Sequence, residues 1–133
     1  ASKGALAGHV GVGDFANFGG YSAHPQFRKI GACTHIAGMS LVTKDVPAYM
    51  TVAGNPASAV GLNVEGIKRR GVNSEGRLAL KQAHKLVYRS GLRVAEAIAQ
   101  MAELRINHPE VEVFAQSIEA SDVGIIRGSG RGD

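Results

Sequence analysis

A repeat of six residues runs through the first third of the chain. From Leu6 onwards the sequence divides into LAGHVG, VGDFAN, FGGYSA, HPQFRK, IGACTH, IAGMSL and VTKDVP. The first place is usually apolar, a small residue usually follows it, and the fifth place is mostly small or β-branched. Neither the period of a helix nor that of a plain strand gives this pattern. It is typical of a hexapeptide solenoid, in which short strands form the sides of a three-sided coil.

The repeat predicts which residues stack. Three units close one coil, so the first and fifth places should point inward and residues eighteen places apart should lie above one another. The predicted pairs are Val12 with Ile30, Phe18 with Ile36 and Ala16 with Thr34. Glycine, at 18 of 133 residues, has about twice its usual share of roughly 7%, as tight corners require.

A solenoid this short needs other elements or other copies to cover its end coils, because a coil buries its faces only against its neighbours. Seven units make little more than two coils, and the chain opens on the repeat with no polar capping element. We therefore interpret the chain as the C-terminal part of a longer protein, or as a module joined to itself through symmetry. Its open first coil could also meet that of a second assembly.

The pattern changes to that of helices after the turn-rich stretch 44–56. Ser74 is predicted to cap a helix ending at Gly91, a second helix is predicted over 93–105, and Pro109 is predicted to open a third. The predicted buried faces are Leu78, Ala79, Ala83, Leu86 and Val87; Val94, Ala97, Ile98, Met101 and Ala102; and Val111, Phe114 and Ile118. Gly76, inside the first helix, should cost up to about 1 kcal/mol relative to alanine.

These patterns predict a mixed fold of β-solenoid and helices. We expect parallel β-helix coils over residues 1–55, a C-terminal helical domain over 56–127 and a flexible tail over 128–133. Cys33, at the fourth place of its hexapeptide, should face outward, and we assign it no chemistry. A lone cysteine excludes an internal disulfide and favours a reducing, cytoplasmic location. Neither a membrane span nor a secretion leader is expected, since no apolar run approaches the required length.

Positive charge is concentrated in the middle of the chain. Residues 56–91 carry seven basic and two acidic side chains. The basic residues are Lys68, Arg69, Arg70, Arg77, Lys81, Lys85 and Arg89. This segment predicts a phosphorylated or acidic partner, with an ordinary solvated helix face as the alternative. Nucleic acid is not expected, because few aromatic residues lie among the basic ones.

Longer motifs resemble one known family. The strings ALAGHVGVGDFANFGGYSA, KDVPAY, GNPA, GLNVEGIKRRG and HKLVYRSG are together similar to the C-terminal half of the acyl-carrier-protein:UDP-N-acetylglucosamine O-acyltransferases, the first enzymes of lipid A synthesis. The similarity runs from Ala5 to Arg127. It implies a homotrimer of left-handed parallel β-helices with C-terminal helices. It also implies transfer of a hydroxyacyl chain from acyl carrier protein to the sugar 3-hydroxyl, in clefts between subunits, with no cofactor or metal.

The resemblance also assigns roles to residues near the solenoid. Gly8 and His9 match a Gly-His pair in which the glycine N–H helps hold the developing oxyanion, an interaction worth roughly 3 kcal/mol of barrier. Gln26 matches a residue that contacts the nucleotide. Gly38 matches the position that limits acyl-chain length, with a simple turn glycine as the alternative.

A second group of matched residues lies in the string GLNVEGIKRRG. Asn63, Glu65, Arg69 and Arg70 match residues near the pantetheine arm and the diphosphate, for which a bidentate guanidinium is well suited. Ordinary solvation of a helix is the alternative. The family's general base is a histidine about one coil before His9, and no residue here matches it. General-base catalysis contributes about 10² to 10⁴ in rate, so we expect negligible turnover from this chain alone.

Residues 23–29 depart from the family. They read AHPQFRK where the family usually reads like AVHQFC, so His24 and Arg28 take inward places. Burying an unpaired guanidinium would cost several kcal/mol. We therefore expect this side of the coil to bulge outward, or a neighbouring copy to supply partners for Arg28.

Two short motifs suggest a different interpretation. His24, Pro25, Gln26 and Phe27 form the HPQF core of streptavidin-binding peptides. The tail ends in GSG followed by Arg131, Gly132 and Asp133, the integrin-recognition tripeptide. The alternative function is therefore an engineered trimeric scaffold that displays both motifs. A third interpretation is a working acyltransferase with His9 or His24 as its base.

Overall fold

The first half of the fold is a stack of very short parallel strands. The computed structural model describes residues 5–6, 11–12, 17–18, 23–24, 29–122 and 124–128. Six two-residue strands follow one another at six-residue intervals: β1 (Ala5–Leu6), β2 (Gly11–Val12), β3 (Asn17–Phe18), β4 (Ala23–His24), β5 (Lys29–Ile30) and β6 (His35–Ile36). Strands β1 and β4, β2 and β5, and β3 and β6 pair in parallel.

The register of these strands confirms the predicted stacking. Val12 is paired with Ile30, and Phe18 with Ile36. Ala16, predicted below Thr34, lies outside the described residues, as does the side chain of Arg28. The fifth-place residues Thr34 and Ser40 are buried. Their hydroxyls donate to the carbonyls of Gly31 and Ala37, three residues earlier, at 3.1 and 2.6 Å. These short local bonds let polar side chains lie inside the coil.

The next coil is shorter by two residues. Ile30 bridges Val46, and Ile36 pairs with Val52, so the stacked residues are sixteen apart rather than eighteen. Cys33 and Tyr49 therefore occupy the same corner of successive coils. Both have positive φ, 54° and 66°, and the Tyr49 N–H donates to the Ala32 carbonyl at 2.8 Å.

A β-hairpin closes the solenoid. Strand β7 (Met50–Gly54) continues the parallel sheet from β6 and pairs antiparallel with β8 (Ala57–Leu62). The predicted boundary between residues 55 and 56 falls in the hairpin turn, and residues 57–62, which the prediction places in the helical domain, form strand β8. The turn string GNPA ends the hexapeptide pattern without ending the sheet, because the chain doubles back there and pairs with the last parallel strand.

Five helices follow the hairpin. They are α1 (Val64–Arg69), α2 (Ser74–Tyr88), α3 (Val94–Gln100), α4 (Ala102–Asn107) and α5 (Pro109–Glu119). Asn73, rather than Ser74, caps α2 by accepting the Gly76 N–H at 2.8 Å. Helix α5 begins at Pro109 and buries Val111, Phe114 and Ile118, as predicted. No helix within the described ranges has the length and apolar character needed to cross a membrane.

Further details of the helices also differ from the sequence prediction. The short helix α1 was not predicted. The second predicted helix is divided at Met101, whose φ and ψ of −96° and 13° lie outside the helical region. In α2, Leu78 is 57% exposed, whereas Leu80 is buried. Both lie next to the apolar stripe in sequence, and the packing of α2 on α3 and α5 selects Leu80.

A short C-terminal segment, residues 124–128, joins the helices to the solenoid. Ile125 bridges Asp45, and Gly128 bridges Ala59. The Tyr88 hydroxyl of α2 donates to the Ile126 carbonyl at 2.9 Å. Gly128 was assigned to the tail from sequence, but it pairs with β8 because the segment continues along the sheet edge. The remaining tail residues lie outside the described part of the chain.

Candidate functional site

The structure describes one group of the site residues predicted from sequence. Gly38, Asn63, Glu65, Arg69 and Arg70 are described. His24 is described only as part of strand β4, where it pairs with Leu6. The other predicted site residues lie outside the described ranges: Gly8, His9, Pro25, Gln26, Phe27, Arg131, Gly132 and Asp133.

Asn63 connects the hairpin to helix α1. Its Oδ1 accepts the Gly66 N–H at 3.2 Å and thereby caps the helix. Its Nδ2 donates to the Cys33 carbonyl at 3.0 Å, and its backbone N–H donates to the Tyr49 carbonyl at 2.7 Å. One residue thus fixes the start of α1 over the corner that Cys33 and Tyr49 share.

Helix α1 carries charges that suit its two ends. Glu65 lies in the first turn, while Lys68 and Arg69 lie in the last, an arrangement that the helix dipole favours. Within the helix Ile67 is buried, whereas Arg69 and the following residue, Arg70, are exposed. The last residue of the helix, Arg69, and its C-cap residue, Arg70, therefore present two exposed guanidinium groups at this end of α1, and such groups can bind a phosphate through paired hydrogen bonds.

Cys33 is buried, so the expectation that it faces outward was wrong. Cys33 is only 3% exposed and belongs to the hydrophobic core, with Asn63 bonded to its carbonyl and Tyr49 at the same corner of the next coil. Burial raises the pKa of Cys33, and the charge of Arg70 opposes that shift. Burial, followed by Cys33 and Glu110, raises the pKa of Tyr49 to about 12. At neutral pH the Cys33 thiol is therefore protonated and a poor nucleophile.

Gly38 lies on the next corner of the same coil rather than beside Asn63. It is exposed and precedes Met39, which has a φ of 63° and is 74% exposed. Ser40 fixes this corner, because its Oγ also accepts the Gly54 N–H at 3.2 Å. Glu65 and Arg69 thus lie in α1 with Asn63 and Arg70 as its two caps, and Gly38 forms a separate exposed position.

A second charged surface lies on α2. Lys81 and Lys85 of the helix and its C-cap residue Arg89 are exposed, and we call these three residues the basic face of α2. Arg77 belongs to the same basic segment, but its Nη1 donates to the Val72 carbonyl at 2.7 Å. The segment predicted to attract an acidic partner is therefore divided between α1 and α2.

Sequence reasoning missed three residues that shape the α1 corner. Cys33 and Tyr49 meet only because the last coil is two residues shorter, which the hexapeptide pattern does not indicate. Gly66 lies so close to the Asn63 carboxamide that a Cβ there would be 2.2 Å from Nδ2. Asn followed by Gly three residues later, before an apolar residue, was the available indication of a capped helix.

Comparison with known proteins agrees with these motifs. A family model described as UDP N-acetylglucosamine O-acyltransferase, domain 2, matches residues 45–126. The acyl-[acyl-carrier-protein]–UDP-N-acetylglucosamine O-acyltransferase of Ectopseudomonas mendocina is 50% identical over 123 residues, which are 92% of this chain and 48% of that protein. The protein of the same name from Pseudomonas aeruginosa has the same identity and coverage. The chain spans about half the length of these curated relatives.

Solved structures also resemble the chain. LpxA from Acinetobacter baumannii is similar with a TM-score of 0.87 and 43% identity, over 92% of this chain and 48% of that one. The Francisella novicida UDP-N-acetylglucosamine acyltransferase has a TM-score of 0.88 and 35% identity, over 94% of this chain and 46% of that one. The resemblance inferred from the motifs is therefore confirmed. Because the family model covers more than half of the residues of this chain, the chain belongs to the UDP-N-acetylglucosamine O-acyltransferase family.

Proposed function

We propose that this chain contributes sugar-nucleotide and acyl-chain sites to a UDP-N-acetylglucosamine 3-O-acyltransferase of lipid A biosynthesis. The sugar 3-hydroxyl attacks the thioester carbonyl of an acyl carrier protein, an ester forms and the carrier thiol leaves. The family match over 45–126 carries the proposal, because that span contains helix α1 with its exposed arginines. A cytoplasmic location, which the lone cysteine favours, is part of the same proposal.

Helix α1 is the proposed site for the charged part of the substrates. Arg69 and Arg70 bind the diphosphate, because their planar guanidinium groups can each donate two parallel hydrogen bonds to phosphate oxygens. Glu65, in the first turn, lies near the pantetheine arm. The exposure of Arg69 and Arg70 at one end of the helix supports these roles.

The remaining proposed roles follow the resemblance. The Gly8 N–H holds the developing oxyanion, where such a donor is most effective, and His9 lies beside the substrate. Gln26 contacts the nucleotide. Gly38 limits acyl-chain length, and its exposed corner without a side chain supports that role.

Titration with UDP-N-acetylglucosamine tests the proposed site. We expect saturable binding that Arg69→Ala weakens about tenfold, since a charge-assisted hydrogen bond contributes roughly 1.5–3 kcal/mol. Lys44→Ala is the control, because it also removes one exposed positive charge. Equal weakening by both variants, or no saturable binding to the unaltered chain, would contradict the proposal.

We also propose that the chain alone turns over negligibly, because no residue in its sequence matches the family's general base. The assay combines purified chain, acyl carrier protein loaded with a hydroxyacyl group, and the sugar nucleotide. Turnover near that of a full-length family member would refute this. Turnover abolished by His9→Ala would favour the altered mechanism with His9 as base.

The basic face of α2 is the proposed docking surface for acyl carrier protein, on the expectation that this carrier is acidic. Lys81 and Lys85 lie one turn apart on the same side of the helix, and Arg89, its C-cap residue, adds a third exposed charge at that end. Binding should weaken with added salt, as for any association steered by exposed charge. Lys85→Glu should weaken it further than Lys44→Glu, which reverses a charge outside α2. Equal effects would rule out this surface.

The proposed assembly is a homotrimer of left-handed coils, with substrate clefts between adjacent subunits. Large apolar side chains exposed on the solenoid, on the hairpin and at the start of helix α1 support association of copies. Met39 is 74% exposed, and Val60 and Val64 are 64% and 52% exposed. Two trimers that meet at their first coils would form a hexamer.

The alternative proposal is a trimeric scaffold that displays HPQF and RGD. It has support only from the two motifs in the sequence. Streptavidin binding lost on Gln26→Ala, or integrin binding lost on Asp133→Ala, would favour it. Failure of the unaltered chain to bind either protein would exclude it.

A further inference from the structure

We infer that Asn63 and Gly66 act together as a positioning pair, which fixes helix α1 so that Arg69 and Arg70 face the nucleotide. The inference rests on the proposed function of those arginines. The family resemblance places Asn63 near the substrate, but the structure gives its side chain a different task. Both polar atoms of its carboxamide bind other parts of the chain.

The Asn63 carboxamide joins two elements that are distant in sequence. Its Nδ2 donates to the Cys33 carbonyl at 3.0 Å, and its Oδ1 accepts the Gly66 N–H at 3.2 Å. The first bond binds the solenoid corner and the second binds the first turn of α1. The side chain thus fixes the helix start relative to the coil, and not only the helix itself.

Gly66 provides the space that this carboxamide occupies. A Cβ at Gly66 would lie 2.2 Å from Nδ2, 2.8 Å from Cγ and 3.2 Å from Oδ1 of Asn63. Contacts that short are not tolerated, so a side chain at position 66 would displace the carboxamide from both of its partners. Gly61 contrasts with Gly66, because a Cβ there would meet nothing within 4 Å.

Displacement at this end of α1 should move the arginines at the other. The helix has 6 residues, too few to hold a fixed direction by itself. At 1.5 Å per residue, Arg70 lies about 10 Å along the axis from Asn63, so a tilt of about 10° would move it by roughly 2 Å. A shift of that size exceeds what a bidentate contact with phosphate accepts.

A double-mutant cycle on nucleotide affinity tests the pair. The proteins are the unaltered chain, Gly66→Ala, Asn63→Ala, the double variant and the control Gly61→Ala, each titrated with UDP-N-acetylglucosamine. We expect each single variant of the pair to weaken binding about tenfold, and the double variant to be no weaker than Asn63→Ala alone. Gly61→Ala should bind normally. Two independent losses that multiply in the double variant would overturn the inference.

The same proteins separate a direct contact from positioning. If Asn63 acts by touching the nucleotide, both variants should weaken binding while the ¹⁵N–¹H resonances of residues 68–70 in the free proteins stay in place, and this result would also overturn the inference. If Asn63 acts through α1, ¹⁵N–¹H spectra of the free proteins should show the same displaced α1 resonances in both variants. Unmoved α1 resonances in Gly66→Ala would contradict the proposed role.

Unfolding in urea keeps the test independent of the proposed function. We expect Gly66→Ala to lower the urea midpoint in the unaltered chain, because it expels the carboxamide. In the Asn63→Ala background the same change should leave the midpoint equal or raise it, since alanine favours a helix over glycine. If neither the unaltered chain nor any variant binds the nucleotide, the proposed function fails. The effect of Gly66→Ala on the urea midpoint in the two backgrounds still decides whether Asn63 and Gly66 act as a pair. A lowered midpoint in both backgrounds would show that they do not.

Discussion

At the scale of single residues, Gly31 is a position where two stretches of backbone touch. A Cβ there would lie 2.3 Å from the Ala48 nitrogen and 2.7 Å from its Cα. Because backbone cannot rotate away as a side chain can, we expect Gly31→Ala to lower the free energy of unfolding by about 1–3 kcal/mol or more. Urea unfolding followed by circular dichroism measures the loss. Gly61→Ala, which adds a methyl group in open space, should be close to neutral; a similar loss there would contradict the argument.

Tyr49 predicts how stability changes at alkaline pH. Its pKa is raised from 10.0 to about 12 in the folded chain, first by burial and then by nearby negative charge. The folded state therefore holds this proton when the unfolded chain has lost it. The stabilisation is complete below pH 10.0 and is lost as the pH rises towards about 12.

Unfolding in urea between pH 8 and pH 12, with Tyr49→Phe alongside, measures this loss. The variant lacks the ionising group, so its urea midpoint should fall less steeply above about pH 10. Equal slopes for the two proteins would show that Tyr49 is not responsible. Because the Cys33 pKa is also raised, Cys33→Ala with and without the Tyr49 change separates the two groups.

Individual residues were only partly predictable from the sequence. The inward places of the solenoid follow from periodicity, so Ile30, Ile36 and Thr34 were identified. Cys33 was not, because the groups bonded at its corner come from Tyr49 and Asn63, sixteen and thirty residues further along the chain. Gly76 was expected only to weaken its helix, yet a Cβ there would lie 2.8 Å from Val72 and 3.2 Å from a Glu110 oxygen. Such close approaches cannot be predicted from a single sequence.

At the scale of elements, Arg105 links helices α4 and α5. Its guanidinium donates to both carboxylate oxygens of Glu112, at 2.7 and 3.1 Å, and to both of Glu119, at 2.8 and 3.0 Å. These contacts lower the pKa of Glu112 and raise that of Arg105. Four hydrogen bonds from one planar group cannot be matched by an ammonium, so Arg105→Lys should lower the melting temperature.

The pH dependence of that loss checks its origin. Because the Glu112 pKa is lowered from 4.5, the stabilisation is present above that pH and disappears as the pH falls below it. The difference in melting temperature between the unaltered chain and Arg105→Lys should therefore shrink at pH 3. A difference that stays constant from pH 7 to pH 3 would show that packing, rather than charge, is lost.

Helix boundaries show what periodicity can and cannot provide. Helix α5 was placed correctly because Pro109 opens it and three apolar residues follow at helical spacing. The division at Met101 was missed because apolar spacing continues through it, from Ala97 to Leu104. The direction changes there because α4 packs on α5 while α3 packs on α2. The local sequence therefore determines whether a segment is a helix or a strand. The direction of that element depends on the elements that it packs against.

At the scale of the whole molecule, association of copies is the main expectation. The described solenoid is too short to bury its own faces, so a mass in solution of three or six times 13.9 kDa is expected. Sedimentation or light scattering over a range of concentrations measures it. A well-folded species of 13.9 kDa would contradict the proposed trimer. The overall coil was predictable because its repeat is sequential, but the shortened last coil and the hairpin were not.

Residues 124–128 have a consequence for how fast the chain reaches its fold. Within the solenoid, contacts such as Ile30 with Val46 close loops of sixteen residues, whereas the contact of Asp45 with Ile125 closes one of eighty. By loop-closure entropy the longer closure costs about 1.4 kcal/mol more. The coils and the helices should therefore form first. The pairing of residues 124–128 with the solenoid should form last. Substitutions at Ile126 should then accelerate unfolding while leaving the refolding rate nearly unchanged.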